Sequence, residues 1–248
     1  MKQSENIPEP HRRSLTLEGC HNVRDIGGYA TLDGRTTRWR TVLRADSPNG
    51  LSLEGQHLLL AYPVRTIIDL RRTTEVRQDP AIFAASQAVR YVHVSLLEDG
   101  RKVREAQSLQ KLYRLMLETC QEPIQQIVRL MATEELFPCA IHCTMGKDRT
   151  GLIIALLLSI ANVPAKTIAS DYALSEQYLA PLYPMLRARA AQEGHDVRRL
   201  EWLTPAHPET MLATLEYLEQ QYGGVKQYLQ RIGVASKQLE KLHHILVE

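Results

Sequence analysis

The sequence predicts an α/β fold: a central, mainly parallel sheet flanked by helices, with a helical C-terminal half. Three observations support this prediction. Apolar, strand-like runs at 64–70, 89–96 and 137–142 are hydrophobic on both faces, which is typical of parallel strands covered on both sides. Segments with apolar residues three and four positions apart lie around these runs. After Pro164 the chain contains only helical patterns.

The composition is that of an ordinary globular protein. The chain has 248 residues, of which 44% are hydrophobic and 23% charged, and its formal net charge is +2. Because this charge is small, we expect no nucleic-acid partner. The longest apolar run, at 151–163, is too short to cross a bilayer, and residues 1–30 contain no apolar run typical of a signal peptide. We therefore expect a cytoplasmic protein without integral membrane association. The sequence carries no signal for an oligomeric state.

The N-terminal part of the chain is predicted to contribute strands and one helix. Residues 1–13 are polar and are predicted to form a flexible tail, whereas residues 14–248 are predicted to form a single domain, because no linker interrupts them. Short β-rich runs at 14–17 and 38–45, separated by glycine turns, predict an N-terminal β element. The pattern at 53–61 predicts a helix.

The remaining elements are predicted to be mostly helical. Two amphipathic helices are expected between the second and third apolar strands, at 105–120 and 122–132. The apolar run at 151–163 predicts a buried helix that follows the third strand almost directly. In the C-terminal half we expect helices over 164–174, 176–192, 208–222, 225–231 and 235–246.

The segment 138–151 carries the clearest chemical signal, because a strand, a short loop and a helix start follow one another there. Arg149 comes six positions after Cys143. The backbone N–H groups of such a loop, with the helix dipole, form a site for a tetrahedral oxyanion. Gly146 lets the loop close tightly, and Arg149 can bind two phosphate oxygens. The predicted phosphate-binding residues are Thr144, Met145, Gly146, Lys147, Asp148 and Arg149.

Cys143 is the predicted nucleophile, because a helix N-terminus and a neighbouring arginine stabilise a thiolate. Thr150 is expected to donate a hydrogen bond to the sulfur, and His142 to support the loop from behind. The alternative interpretation is a buried cysteine that acts as a small hydrophobe beside a solvated turn. A nucleotide-binding P-loop is excluded, because no Ser or Thr follows Lys147 and Ile141 stands where its first glycine is needed.

The sequence HCTMGKDRTG at 142–151 resembles the signature loop of cysteine-dependent tyrosine phosphatases. It is most similar to the atypical bacterial group of triple-specificity, or lipid-and-protein, phosphatases, whose loop reads HCxxGKDRTG. Further segments that resemble this group are NVRDIGGY at 22–29, LRADSPNGLS at 43–52, IIDLR at 67–71, SDYALS at 170–175 and YGGVKQYLQRIGV at 222–234. The resemblance extends from Leu15 to the end of the chain. It implies a tyrosine-phosphatase-like fold and hydrolysis of phosphotyrosine, with phosphoserine, phosphothreonine and phosphoinositides as further substrates.

The resemblance also implies a mechanism that needs neither a metal nor another cofactor. Cys143 would attack phosphorus to form a phosphocysteine, and water would then hydrolyse this intermediate. Arg149 and the loop amides would stabilise the transferred phosphoryl group. The substrate partner would accordingly be a phosphorylated protein or a phosphoinositide.

The general acid is open, because the Trp-Pro-Asp loop of the best-known tyrosine phosphatases is absent from this sequence. We slightly favour Asp69, which ends a buried strand at the edge of the sheet where such sites form, with Asp148 as its partner or substitute. Asp99 is a third candidate. A structural ion pair of Asp69 with Arg71 or Arg24 is the competing interpretation.

Four residues are expected to support the loop or the substrate. We interpret Asn22, Arg24 and Asp25 as a structural network that braces the signature loop; a direct substrate contact by Arg24 is the alternative. Lys147 adds positive charge, which in this family suggests that phosphoinositides are accepted. A solvent-facing Lys147 that pairs with Asp148 agrees equally well with the sequence.

Two other functions place a cysteine or a phosphate in a ring of backbone amides. One is a catalytically silent phosphate-binding module, against which the intact Cys143 and Arg149 argue. The other is a rhodanese-like sulfurtransferase, which the many matches to the phosphatase pattern disfavour. Cys20 and Cys139 are predicted to be inert buried thiols, with a role as resolving thiols for Cys143 as the alternative.

Overall fold

The computed structural model describes residues 12–194 and 196–248. Most of the predicted tail, 1–13, therefore lies outside the described residues. Arg13 belongs to the described part, and its guanidinium donates a hydrogen bond of 2.9 Å to the carbonyl oxygen of Asp25. The same guanidinium lies 3.7 Å from the ring centroid of Tyr29. Arg13 thus packs against the N-terminal β element.

A mostly parallel sheet lies at the centre of the described chain. Its strands are β1 Arg24–Asp25, β2 Val42–Ala45, β3 Thr66–Asp69, β4 Arg90–His93 and β5 Cys139–His142. The strand order is β1-β2-β5-β3-β4, and only β1 pairs antiparallel to its neighbour. The predicted fold class is therefore confirmed. The last residues of β2 and β3 pair with the last residue of β5, so the chain leaves all three strands at one edge of the sheet.

The predicted burial of the strands on both faces is correct for the central strands and wrong for β4. Every residue of β2, β3 and β5 is buried. In β4, Arg90 is exposed and the other three residues are half-buried, because this strand lies at the edge of the sheet. The predicted run at 14–17 forms only isolated bridges, from Ser14 to Arg24 and from Leu17 to Cys20.

Helices surround the sheet and form the C-terminal half. In chain order they are α1 Leu53–Ala61, α2 Thr73–Gln78, α3 Arg101–Glu105, α4 Leu109–Thr119, α5 Gln121–Met131, α6 Asp148–Ile160, α7 Ala165–Leu179, α8 Tyr183–Gln192, α9 Arg198–Leu203, α10 Pro208–Tyr222, α11 Val225–Arg231 and α12 Ser236–Leu246. The helix predicted at 176–192 is divided. A 3₁₀ turn over Ala180–Leu182 separates α7 from α8, and prolines, which lack an N–H donor, stand at the start of both the turn and α8.

Helix α6 fixes the position of the signature loop. It is buried along almost its whole length, from Thr150 to Ile160, and packs against α7, α11, α12 and strands β2 and β5. Each fully buried Leu or Ile side chain contributes about 1.5–3 kcal/mol, so the start of this helix at Asp148 is firmly held. Among the described residues, no helix combines the length and the hydropathy that crossing a membrane would require.

Candidate active site

The signature loop, Cys143–Lys147, connects β5 to α6, and groups behind it hold its backbone. All five of its carbonyl oxygens accept hydrogen bonds of 2.8–3.1 Å. The donors, in order from the first carbonyl to the last, are the imidazole of His142, the backbone N–H of Ser47, the side-chain amide of Asn22, the guanidinium of Arg44 and the backbone N–H of Gly151. Within the described residues, the backbone N–H groups from Thr144 to Arg149 donate to no protein acceptor. This arrangement can bind an anion.

The loop closes tightly because Gly146 lies against strand β2. Its φ is +64°, in the left-handed region that side chains rarely adopt. A Cβ atom at this position would lie 2.4 Å from the carbonyl oxygen of Ala45. Both observations agree with the expectation that a glycine is required here.

Cys143 is the first residue of this loop and is only 2% exposed. His142 lies behind it, and its Nδ1–H donates to the Cys143 carbonyl oxygen, as a support from behind requires. Burial lowers the pKa of His142, and the nearby charge of Asp69 opposes this shift. The predicted hydrogen bond from Thr150 to the sulfur is not formed, because the buried Thr150 hydroxyl has no partner among the described residues.

Arg149 extends from the first turn of α6 and pairs with a residue that sequence reasoning missed. Its guanidinium donates to both carboxylate oxygens of Glu75, at 2.5 and 3.0 Å, and to the hydroxyl of Thr144 at 3.1 Å. Burial opposes the charge of Arg149, but the attraction of Cys143 and Glu75 outweighs it and raises the pKa of the guanidinium. Burial likewise opposes the charge of Glu75, and the Arg149 contacts hold the pKa of this carboxyl far below its ordinary range.

Asp69 lies at the expected edge of the sheet, but its surroundings do not suit a general acid. The carboxylate is fully buried, and both of its oxygens accept hydrogen bonds from Arg71, with the closest at 2.8 Å. The hydroxyl of Tyr91 also donates to it at 2.8 Å. Burial alone would raise the pKa of Asp69, but His142 and Arg71 lower it below the ordinary value. The competing interpretation, an ion pair of Asp69 with Arg71, thus describes the contact that the structure shows.

Asp148, the first residue of α6, is one-quarter exposed and faces a cavity. The hydroxyl of Tyr113 donates to its Oδ1 at 2.7 Å. The third candidate acid, Asp99, forms an ion pair with Arg101 on the surface, at 3.0 Å. Of the three predicted carboxylates, Asp148 lies directly beside Arg149 in the cavity wall.

Lys147 is neither solvent-facing nor directed into the anion site. The residue is 3% exposed, and its ammonium donates to the backbone carbonyl groups of Leu203, Thr204 and Pro205. It lies 3.4 Å from Oδ1 of Asp148. Lys147 thus connects the signature loop to the end of α9. The pairing with Asp148 expected from the sequence is formed, but the expected solvent-facing position is wrong.

A buried network of charges braces the loop from the opposite side. Arg24 donates to the side-chain oxygen of Asn22, whose amide holds the carbonyl of Met145. Arg24 and Arg44 both pair with Asp171 of α7, at 3.0 and 2.5 Å. The two predicted bracing residues Asn22 and Arg24 therefore lie together, and Asn22 contacts the loop directly.

Burial and ion pairing shift the pKa values of the charged groups in this network. Burial and the neighbouring Arg44 lower the pKa of Arg24 to about 10. Burial opposes the charge of Asp171, but the two arginines hold the pKa of this carboxyl far below its ordinary value. Asp25 is not part of the network. It accepts hydrogen bonds from Gly27, Arg40 and Tyr62 and stabilises the N-terminal turn, not the signature loop.

A cavity of about 520 Å³ opens in front of Asp148 and Arg149. Helices α3 and α4, which precede the signature loop in the sequence, and helices α8 and α9, which follow it, contribute to its wall. Its apolar lining consists mainly of Leu97, Val103, Leu112, Met116, Leu200 and Leu203, and its further charged lining of Arg72, Asp196 and Arg199. In the described part of the chain, no three His, Cys, Asp or Glu side chains are grouped as metal ligands would be.

Comparison with known proteins identifies the family. The model of the tyrosine phosphatase family matches residues 15–248. The chain belongs to the tyrosine phosphatase family. This membership confirms the resemblance inferred from the signature loop and the enzyme class expected from it. Members of the family that are similar to this chain include three bacterial proteins.

A tyrosine-protein phosphatase of Nostoc commune is 32% identical over 199 residues, which is 74% of this chain and 66% of that protein. A putative tyrosine-protein phosphatase of Cupriavidus necator is 26% identical and covers 88% of this chain and 83% of its own length. The triple specificity protein phosphatase PtpB of Mycobacterium tuberculosis is 25% identical and covers 93% and 98%. The chain therefore spans about two thirds of the Nostoc protein and nearly all of the mycobacterial one.

The other two cysteines singled out from the sequence are buried. Burial raises the pKa of Cys20 and of Cys139 well above the ordinary range of a thiol. Cys20 donates to the carbonyl oxygen of Ser47 at 3.3 Å. Such environments are typical of inert thiols.

Proposed function

We propose that this member of the tyrosine phosphatase family hydrolyses phosphotyrosine through a phosphocysteine on Cys143. The observation that carries the proposal is the backbone of the signature loop. Its carbonyl groups are all bonded to groups behind it, whereas its N–H groups have no protein acceptor among the described residues. Such a ring of donors around a thiol, with Arg149 beside it, stabilises the charge of a phosphoryl group during transfer.

In the first step, the sulfur of Cys143 attacks phosphorus, and the bond between phosphorus and the phenolic oxygen breaks. The leaving oxygen takes a proton from Asp148. In the second step, a water molecule attacks phosphorus, the phosphorus–sulfur bond breaks, and the proton of the water passes to the Asp148 carboxylate. The products are tyrosine and inorganic phosphate, and the thiolate is regenerated.

We assign the acid to Asp148 because of its location. It lines the cavity next to Arg149, is partly exposed and has no arginine on its carboxylate among the described contacts. Asp69, by contrast, is buried beneath the loop in its ion pair with Arg71. A general acid must reach the leaving oxygen, and only Asp148 of this pair faces the space where that oxygen would lie.

The cavity supports an aryl phosphate as the preferred substrate. Its apolar wall offers a surface for an aromatic ring next to Arg149. Phosphoserine and phosphothreonine remain proposed further substrates, in agreement with the triple specificity named for the mycobacterial relative. Phosphoinositides remain proposed further substrates on the resemblance of the signature loop alone. For an inositol headgroup, Arg72 and Arg199 would supply the additional positive charge, because Lys147 is occupied by backbone carbonyl groups.

The test compares the wild-type protein with Cys143→Ser, Arg149→Lys and Asp148→Asn on phosphotyrosine, phosphoserine and phosphoinositide substrates. We expect Cys143→Ser to abolish turnover and vanadate to inhibit the wild type. We also expect rapid acid quenching to recover a phosphorylated Cys143 peptide from the wild type. Binding of phosphopeptide without turnover would instead indicate a silent phosphate-binding module. Cyanide-dependent formation of thiocyanate without phosphatase activity would indicate a sulfurtransferase.

A further inference from the structure

The carboxylate of Asp148 is held through one of its two oxygens. The hydroxyl of Tyr113 donates to Oδ1 at 2.7 Å, and the ammonium of Lys147 lies 3.4 Å from the same oxygen. In the part of the chain that the structure describes, Oδ2 takes part in no hydrogen bond or ion pair. The two oxygens of this carboxyl group are therefore in different environments.

The donor to Oδ1 is itself fixed by a second hydroxyl. Tyr113 of α4 is fully buried, and its oxygen lies 2.8 Å from the hydroxyl oxygen of Tyr172 of α7. A tyrosine hydroxyl has one proton, and Tyr113 uses it toward Asp148, so Tyr172 must donate to Tyr113. Burial, and then the charge of Asp148, raise the pKa of both hydroxyls, so both remain protonated donors.

Packing holds the two rings where this chain of hydrogen bonds needs them. The rings of Tyr113 and Tyr172 meet edge to face, with centroids 6.0 Å apart and an interplanar angle of 84°. The ring of Tyr172 also lies against Gly151 in the first turn of α6, where an added Cβ would be 3.1 Å from the Cδ2 atom of Tyr172. Because Gly151 has no side chain, the ring of Tyr172 has the space to pack against the ring of Tyr113.

We propose that Tyr113 is the positioning residue of the general acid, and that Tyr172 holds Tyr113 in turn. This inference rests on the proposed function, in which Asp148 donates the proton. Because Oδ1 already accepts a hydrogen bond, the acidic proton is carried by Oδ2, the oxygen left unpaired by the described residues. The proton then passes to the leaving oxygen without rotation of the carboxyl group, which removes one rearrangement from the transition state.

The test measures kcat/KM for a series of aryl and alkyl phosphates whose leaving groups differ in basicity. When a general acid is removed or is no longer correctly oriented, kcat/KM falls most for substrates with basic leaving groups and least for activated ones. We expect Asp148→Asn to lose roughly 100-fold or more on an alkyl phosphate. Tyr113→Phe should lose about 10-fold on the alkyl phosphate and less than about 3-fold on an activated aryl phosphate. Tyr172→Phe should show a smaller loss with the same dependence.

The matched control is Tyr228→Phe. Tyr228 is also fully buried and donates a hydrogen bond of 2.8 Å to the carbonyl oxygen of Leu117 at the far end of α4. Its removal should change kcat/KM equally, and little, for every leaving group. In the double variant Tyr113→Phe/Asp148→Asn, we expect no leaving-group-dependent loss beyond that of Asp148→Asn alone.

The outcomes separate the two assignments. If Asp148→Asn lost activity equally on all leaving groups, the proposed acid would be wrong. If Asp148→Asn showed the expected dependence but Tyr113→Phe and Tyr172→Phe lowered all rates equally, the positioning role would be overturned. Should Tyr113→Phe fold poorly in a urea titration, Tyr172→Phe, which keeps the ring against Gly151, decides the question alone.

Discussion

The guanidinium of Arg149 and the carboxylate of Glu75 form a two-point salt bridge, with N–O distances of 2.5 and 3.0 Å. Glu75 lies in the first turn of α2, and its Oε2 also accepts the backbone N–H of Arg72 at 2.8 Å. A planar guanidinium group that is hydrogen-bonded at two points is held in one orientation. Glu75 thus holds Arg149 in a fixed plane beside the signature loop, with its Nε free of hydrogen bonds to the described residues.

The first prediction concerns this salt bridge. Glu75→Gln removes the charge that orients Arg149, so we expect kcat/KM for an aryl phosphate to fall about 10-fold, at an unchanged fold by circular dichroism. Glu98→Gln is the matched control, because Glu98 accepts the backbone N–H of Thr73 at the start of the same helix. A faster Glu75→Gln variant would mean that the carboxylate competes with the substrate for Arg149.

The second prediction concerns the buried network. Asp171→Asn leaves the guanidinium groups of Arg24 and Arg44 buried without their counter-charge, and we expect the free energy of unfolding to fall by about 3–5 kcal/mol. Urea titration at pH 7 measures this change. Asp33→Asn removes an exposed ion pair with Arg35 and should leave stability nearly unchanged. Equal losses in the two variants would contradict the role given to the network.

The third prediction follows from the pKa of Asp171, which folding lowers from its ordinary value of 3.8. A group with a lowered pKa stabilises the fold fully above its unfolded value, and this contribution is lost as the pH falls toward the folded value. We therefore expect wild-type stability to decline below about pH 4, and Asp171→Asn to decline less.

The comparison between wild type and variant is needed because other carboxyls act in the opposite sense. Burial raises the pKa of Asp25 and of Asp46, so their contribution to stability is lost as the pH rises. The wild type and Asp171→Asn share these two carboxyl groups, so their effect cancels in the difference between the two free energies of unfolding. Urea titrations at pH 5 and pH 3 measure the free energy of unfolding of both proteins. If it fell by the same amount in the wild type and in Asp171→Asn, the lowered pKa of Asp171 would be excluded.

The fourth prediction concerns Lys147. Lys147→Met removes the hydrogen bonds to the carbonyl groups at 203–205, so amide hydrogen exchange over 198–205 should become at least about 10-fold faster. The ratio of activity on a phosphoinositide to that on an aryl phosphate should not change. Lys166→Met, at an exposed position of α7, serves as the control. A selective loss on the phosphoinositide would restore Lys147 as a substrate contact.

The fifth prediction concerns Gly146. An added methyl group would clash with Ala45 and would also sit at a positive φ, so Gly146→Ala is expected to displace the loop backbone. We expect the free energy of unfolding to fall by about 1–3 kcal/mol. We also expect kcat/KM to fall by more than this loss of stability alone explains. Gly34→Ala is the matched control, since Gly34 also has a positive φ but open space around it. Similar effects on activity in both variants would argue against a role of the tight loop.

Much of this site was predictable because it is encoded locally. The strand, the loop and the helix start of 138–151 are contiguous, so the positions of Cys143 and Arg149 followed from neighbouring residues alone. The sheet was predictable for a similar reason, since apolar runs report burial. The partial exposure of β4 was not predictable, because the sequence of a strand does not indicate whether the strand lies at the edge or in the middle of the sheet.

The residues that sequence reasoning missed act across large separations along the chain. Arg44 and Asp171 meet only once the sheet and α7 are packed, and Tyr113 reaches Asp148 from α4. Glu75 left one weak signal, an acidic residue in the first turn of a short helix after a strand. For Asp69, the sequence placed the strand end correctly, but the capture of its carboxylate by Arg71 depended on a buried geometry that the spacing does not determine.

The salt bridges of Asp171 have a consequence for how the chain can be divided. Its two arginine partners come from the first fifth of the chain, whereas Asp171 itself comes from the helical C-terminal half. A fragment that ended before α7 would retain the nucleophile, the glycine and every strand of the sheet. It would nevertheless leave two guanidinium groups without their counter-ion, and one of them, that of Arg44, is the donor to the carbonyl oxygen of Gly146. The signature loop and α7 therefore depend on each other for their structure, and we expect a fragment without α7 to be inactive.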